Sequence, residues 1–534
     1  MGILLWGLVA VSSGADDPLA AKTAVAQKVF ADLVRAVGDG RPQPRLQLVP
    51  PAERGPMQVA WFDPRSKVLS VEERLYDTCA AMGADSLDAL ALMIGHELAH
   101  YYKDHGWGGD FGNGFADLSA GRAVQSLGAD RKRLVEMEAA ADYFGAFYGY
   151  LAGYKTLDVA PAVLQRVYNV FGLKAQMAGY PDLDERQKIA RRSLEKVRDL
   201  VPVFEAGGLL ALVGLYEEAA RCFDYVAYEF PSREMINNAG VARVLDALRF
   251  FAAGQVTFVY PLELDMQSRL GAAGKASDQG REDVELRDQL LVEAGDCFER
   301  ARRADPAYAT AYTNLACVRH LQGEDEEALL WAGKAVKLAR QQGAEAELAH
   351  ALVMRGIVRS AADGRQAAAD FAAALEASPA LVRANLQVLE GAARPGSERP
   401  PSRSGIVEQI AGMKARDYRR VLAAPDAIAV LPEGSFEQPS ITVYGRWDEG
   451  WTGLAVEADY RTAAFVSTGE GYDGASVRGV RLGVGLDKVE AAYGTASGLV
   501  AARGGDFHIY AAEGVVFHLE GGAVQGWTLF AVEE

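Results

Sequence analysis

The residues best suited to chemistry are His96-Glu97-Leu98-Ala99-His100. They lie inside the run DALALMIGHELAHYY, whose residue types favour a helix. On a helix, positions i and i+4 share one face, so both imidazoles reach a single metal ion. Glu97 stands beside the first of them, placed to take a proton from a water activated there. The chain holds 7 His in 534 residues. With so few, chance supplies a Glu and a second His at these offsets on the order of 0.01 times.

A tetrahedral catalytic zinc needs a third protein ligand and leaves a fourth place for water. Downstream the chain reads Glu136-Met137-Glu138-Ala139-Ala140-Ala141-Asp142-Tyr143-Phe144-Gly145. Glu138 and Asp142 are again i and i+4 on a predicted helix, and the alanines between them let that helix approach another closely. Glu138 is the candidate third ligand. Asp142 is the candidate partner for the distal nitrogen of a zinc histidine, which fixes its tautomer. His105 and Glu136 are the competing ligands. Two His, one carboxylate and a Glu base favour Zn2+, one per chain, and the chemistry is metal-assisted amide hydrolysis. Glu97 takes the proton and later passes it to the leaving amine.

The pair of motifs, H-E-x-x-H followed by E-x-x-A-D-x-x-G, resembles the gluzincin endopeptidases of the HtpX and BepA type, metallopeptidase family forty-eight. His96, Glu97, His100, Glu138, Asp142 and Gly145 all fall on that pattern. The resemblance covers about residues 20–200. It implies a compact, mostly helical zincin-like α+β domain with a short edge strand over the site. Many members carry a His-Pro before an Arg on a later helix; here the matching stretch is Gly179-Tyr180-Pro181 with Arg186. On that alignment Tyr180 is a candidate catalytic residue, donating a hydrogen bond to the tetrahedral oxyanion. The resemblance also makes Lys67–Val71 a candidate for strand addition to an extended substrate. The Gly-rich stretch His105–Phe115 follows the zinc helix and reads as a cleft wall or lid, or as a plain loop.

The elements around the site come from texture. At 534 residues the prior is about three domains. Residues 18–200 are helix-rich, with a Pro-rich stretch at 42–56. A hairpin, Met57–Phe62 and Lys67–Val71, is expected around Asp63-Pro64-Arg65-Ser66. Residues 205–390 are Ala- and Leu-rich with helical spacing. Three stretches there, marked by Gly214 and Ala219, Gly323 and Ala328, and Gly364 and Ala369, resemble tetratricopeptide repeats, which stack into an α-solenoid. Residues 246–285 fit that unit poorly and read as an insertion. Residues 391–405 form a linker by composition. Residues 406–534 read as a small α+β domain of short strands, resembling the SmpA-like modules of exported bacterial proteins. Around residues 479–530 a strand leads to a helix at Asp487–Tyr493, then strands with turns at Gly504-Gly505 and Gly521-Gly522. His508 and His518 have no ligand-spaced partner and read as surface or packing residues.

Residues 1–15 read as a signal peptide, with apolar Met1–Val11 and small residues after it but no basic residue ahead. The expected setting is the bacterial periplasm, or the cytoplasm if that signal is not used. Cys79, Cys222, Cys297 and Cys317 are widely spaced and read as isolated buried thiols. A net charge of −17 argues against a nucleic-acid partner. No apolar run reaches the ~18–20 residues that span a bilayer. Two functions follow as expectations. The first is a zinc endopeptidase acting on exported or misfolded envelope proteins, its repeats binding substrate or a protein partner. The second is a non-proteolytic repeat scaffold or chaperone with a structural or gated metal site.

Overall fold

A computed structural model describes residues 18–37, 42–51, 59–63, 65–102, 129–173, 183–229, 232–252, 254–264, 284–391, 407–431, 440–458, 461–469, 471–502 and 505–533. The expected signal peptide and nearly all of the expected linker lie outside these residues. The protein is multidomain and mostly helical, with a sheet domain at its C-terminal end. It divides into two compact units, the first ending at Glu195 and the second beginning at Lys196. Among the described residues no helix is long and apolar enough to cross a membrane.

The first unit runs α1 (Pro18–Val37), β1 (Arg45–Val49), β2 (Ala60–Asp63), β3 (Val68–Glu72), α2 (Glu73–Ala80), α3 (Ser86–Tyr102), α4 (Ala129–Leu151) and α5 (Thr156–Phe171). It also holds the start of α6 (Leu183–Leu212). The expected turn forms: Asp63 accepts hydrogen bonds from the Arg65 N–H at 3.0 Å and the Ser66 hydroxyl at 2.6 Å. The sheet differs from the expected two-stranded hairpin. Its order is β1-β3-β2, with β1 parallel and β2 antiparallel to β3. β1 is a short alternating strand, with Leu46 and Leu48 buried, and the prolines around it obscure that pattern. β3 is therefore paired on both sides and has no free edge for a substrate strand, which corrects the reading of Lys67–Val71. The edges belong to β1 and to β2, which packs against α3.

α3 is apolar nearly all round, with Leu90, Ile94 and Leu98 almost fully buried. A helix of that kind belongs in a core rather than on a surface. It packs against α1, α2, α4, α5 and β2.

The second unit continues α6 through Pro202, so the expected boundary near 200–205 falls inside one helix. Then come α7 (Tyr216–Glu229), α8 (Arg233–Ala247), α9 (Val284–Ala304), α10 (Ala309–Leu321), α11 (Asp325–Gln342), α12 (Glu345–Arg359), α13 (Gly364–Ala374) and α14 (Pro379–Leu389). Helices α8, α10, α12 and α14 touch in succession and make one layer, and α9, α11 and α13 pack between them. Small residues allow the crossings. Gly207 faces the Phe223 ring and Gly356 the Phe371 ring. Aligned on these pairs, Ala219 corresponds to Ala367, and both are fully buried. Ala369, the position expected from turn spacing, is exposed. Gly364 opens α13, whereas Gly214 stands in the turn before α7, so counting from each glycine misplaces the buried face.

The sheet domain holds β4 (Ala427–Leu431), β5 (Ile441–Asp448), β6 (Trp451–Ala458), β7 (Arg461–Thr468), β8 (Gly498–Ala502), β9 (Gly505–Tyr510), β10 (Val515–Glu520) and β11 (Ala523–Glu533). Two short helices join them, α15 (Arg419–Ala423) and α16 (Leu486–Tyr493). The order is β4-β5-β6-β7-β11-β10-β9-β8, antiparallel throughout. Its core gathers Trp451, Val489, Tyr493, Tyr510, Phe517 and Trp527. The strand expected before α16 does not form. Gly479 and Gly483 there have φ of 85° and 80°, which turn the chain instead of extending it. The helical array and the sheet domain, expected as separate domains, fall in one compact unit. All four cysteines are buried free thiols.

Candidate metal centre

The site is made by two helices that cross backbone to backbone. A Cβ placed on Gly95 of α3 would stand 2.7 Å from the Gly145 carbonyl oxygen of α4. One placed on Gly145 would stand 2.5 Å from the His96 nitrogen. Only glycine at both positions permits this approach. Ala139, Ala140 and Ala141 are all buried, so α4 presents small residues along its packed side. Glu138, Asp142 and Gly145 share one face of α4 at i, i+4 and i+7. The glycine contact therefore lowers both carboxylates onto the histidines of α3.

His96 Nδ1 lies 2.7 Å from Asp142 Oδ1, across 46 positions of sequence. That leaves Nε2 to face the other candidate ligands. His96 Nε2 stands 3.2 Å from His100 Nε2 and 3.4 Å from Glu138 Oε2, and His100 Nε2 stands 3.6 Å from Glu138 Oε1. Atoms about 2.0–2.1 Å from a tetrahedral zinc stand about 3.3–3.4 Å from one another. The two edges from His96 Nε2 match those of such a tetrahedron, and His100 stands nearest the other Glu138 oxygen, so the donor set and spacing fit a metal ion. His96, His100 and Glu138 form a cluster that can hold a metal ion, the one such group among the described residues.

The electrostatics agree with that fit. His96 is 7% exposed. Burial opposes a charge there, but Asp142, followed by Glu138, outweighs it, and the imidazole is pushed up to about 10. The negative field that holds a proton on His96 is the same field that attracts a cation. Glu97 follows His96 on α3 and is half-buried.

The structure thus brings together His96, His100, Glu138 and Asp142. Tyr180, His105 and the stretch His105–Phe115 lie outside the described residues, as does the side chain of Glu136. Gly95, which makes the close crossing beneath the cluster, is a position that the motif reading passed over. Its signal was a glycine directly before the first histidine, in a helix otherwise full of good helix formers. Compared with known proteins, the chain matches no protein-family model and no curated protein.

Proposed function

We propose that this protein is a zinc-dependent endopeptidase that hydrolyses peptide bonds in polypeptide substrates, its first unit a zincin-like domain. The observation that carries the reading is the ligand triangle of His96, His100 and Glu138 with a carboxylate, Glu97, beside the first ligand. Bound zinc supplies Lewis acidity, which acidifies a water and polarises a carbonyl. Glu97 takes a proton from the attacking water and delivers it to the departing amine. Asp142 accepts the His96 Nδ1 hydrogen and so keeps Nε2 as the ligating nitrogen. The helical array, read as tetratricopeptide-like repeats, engages substrate or a protein partner. The substrates proposed are exported or misfolded envelope proteins, and the periplasmic setting rests on the apolar stretch Met1–Val11.

The test is degradation of casein by zinc-loaded protein beside Glu97→Gln. Cleavage by the native chain alone, with both proteins binding one zinc, is the expected result. An equally active Glu97→Gln overturns the reading. Two inert proteins that each bind zinc shift it to the scaffold function, with the metal as a structural clamp.

A further inference from the structure

Residues 256–264, Val-Thr-Phe-Val-Tyr-Pro-Leu-Glu-Leu, belong to the stretch that the repeat pattern does not accommodate. They form neither helix nor strand, apart from a single bridge at Leu264. Their main chain is nevertheless paired at two points. The Val259 N–H donates to Asn385 Oδ1 at 2.8 Å, and Asn385 Nδ2 donates to the Val259 carbonyl at 2.9 Å. The Glu263 N–H donates to Asn314 Oδ1 at 2.9 Å, and Asn314 Nδ2 donates to the Glu263 carbonyl at 3.0 Å. Asn237 Nδ2 adds a further donor to that carbonyl at 2.9 Å.

These three asparagines stand on α8, α10 and α14, all in one layer of the array, and each is fully buried. Asparagine is a weak helix former, and a carboxamide buried without partners is destabilising. Three of them inside helices of one layer make sense only for what they pair with. A carboxamide offers one donor face and one acceptor, the same pair that a neighbouring β-strand offers. It reads main chain and is indifferent to the side chain it passes. At Val259 nothing but main chain is read in this way. At Glu263 the side chain is read too, through Thr310 at 2.6 Å and His350 at 2.9 Å.

The hold is uneven. Pro261 to Leu264 are buried, and Leu264 also donates to the Ala501 carbonyl of the sheet edge at 3.2 Å. Val256 to Tyr260 are half-buried or exposed, and Asn385 is the side chain that clamps their main chain.

From this arrangement we infer that the layer of α8, α10, α12 and α14 is a receptor for polypeptide main chain, and that residues 256–264 are its resident occupant in cis. An incoming polypeptide binds by displacing the segment from its weakly held end. The inference deepens the expectation that the array engages polypeptide. It uses nothing from the metal centre, so failure of either reading leaves the other standing.

The test uses the full chain with Val256–Glu263 replaced by Gly and Ser residues, and a fluorescein-labelled peptide of the sequence 256–264. Binding is read by anisotropy, with circular dichroism reporting the fold. A tethered occupant acts at about millimolar effective concentration. The replaced chain is therefore expected to bind the peptide at least about tenfold more tightly than the native chain. Asn385→Leu and Asn314→Leu, added to the replaced chain, are each expected to lose about tenfold or more. A folded replaced chain that binds no peptide, or one indifferent to both asparagine changes, overturns the inference. If the replaced chain does not fold, Val259→Pro decides. It removes the N–H that Asn385 accepts and leaves the receptor intact. Severalfold gain in peptide binding by this variant supports the inference, and no gain overturns it.

Discussion

Gly145→Ala tests whether the helix crossing sets the metal centre. The added methyl would meet the His96 nitrogen at 2.5 Å and the Gly95 carbonyl carbon at 2.7 Å. Carbon contacts settle near about 3.5–4.0 Å. Both obstacles are main chain, which no rotamer change moves aside, so α3 and α4 must part by about 1 Å. Overpacking of that kind costs about 1–3 kcal/mol of stability. The same parting acts on the 2.7 Å hydrogen bond between His96 and Asp142 and on the 3.4 Å and 3.6 Å gaps to Glu138. The hydrogen bond is then beyond its range. Loss of such a supporting carboxylate alone weakens metal binding by about 10–100-fold. With Glu138 displaced too, zinc affinity should fall at least about 100-fold. The assay is competition against a chromophoric chelator, with a thermal melt of the metal-free chain beside it. Gly172→Ala is the control. Its φ is 58° and no atom lies within 4 Å of the added carbon, so it costs about 1 kcal/mol of strain and leaves zinc binding unchanged. A Gly145→Ala chain that binds zinc within about threefold of native refutes the crossing as the determinant.

Two further outcomes are expected. Asp142→Asn removes the charge that does most to raise His96, so the imidazole should titrate well below about 10 in the metal-free chain, and zinc should bind about 10–100-fold more weakly. Imidazole resonances followed by NMR against pH check the first part, and an unmoved titration counts against Asp142 as the orienting group. His350 provides the second. Burial opposes its charge, but Asp506 and Glu263 outweigh that, and it is pushed up to about 10. An unfolded imidazole titrates near about 6.5. The folded state therefore holds the extra proton between those values. Its stabilisation is complete below about pH 6.5 and is lost as pH rises to about 10, by at most about 1.4 kcal/mol per pH unit. Thermal melts across that window should fall more steeply for the native chain than for His350→Gln, and parallel curves would contradict the proton's role.

Local periodicity carried the candidate metal site. His96, His100, Glu138 and Asp142 were legible because helical spacing places each pair on one face, and because their residue types suit one ion. The layered helices were legible from alanine and glycine placement. The slip from Ala369 to Ala367 was not, since Gly364 stands inside a helix and Gly214 in a turn, which spacing alone does not reveal. β1 was hidden because a five-residue strand among prolines has too little alternation to stand out. The cluster at His350 was invisible for a different reason. Its members, Glu263, Thr310, Ser378 and Asp506, come from distant segments, with His350 and Asp506 separated by 156 positions. No local spacing links them. His508, read as surface or packing, is buried in the sheet near that cluster, and His518 stacks on Phe507 at 4.7 Å.

The two buried histidines differ in a way that decides which of them could take a metal ion. Each is held between carboxylates and each is pushed up to about 10, so basicity does not distinguish them. Their nitrogens do. His350 spends both, Nδ1 on Glu263 at 2.9 Å and Nε2 on Asp506 at 3.0 Å. It ties a helix of the array to β9 of the sheet, and a metal could enter only by breaking one of those contacts. Removing either carboxylate leaves a buried charge with half its partners, a loss of about 3–5 kcal/mol. His96 holds Asp142 closely through Nδ1 at 2.7 Å, while Nε2 meets Glu138 only at 3.4 Å. Its Nε2 points at a second imidazole and a second carboxylate whose spacing matches the edges of a zinc tetrahedron. In the metal-free chain the 3.2 Å approach of the two Nε2 atoms requires a proton between them, since two bare lone pairs repel. It becomes favourable when a cation sits between the two nitrogens, and the crossing of Gly95 and Gly145 holds them where that can happen.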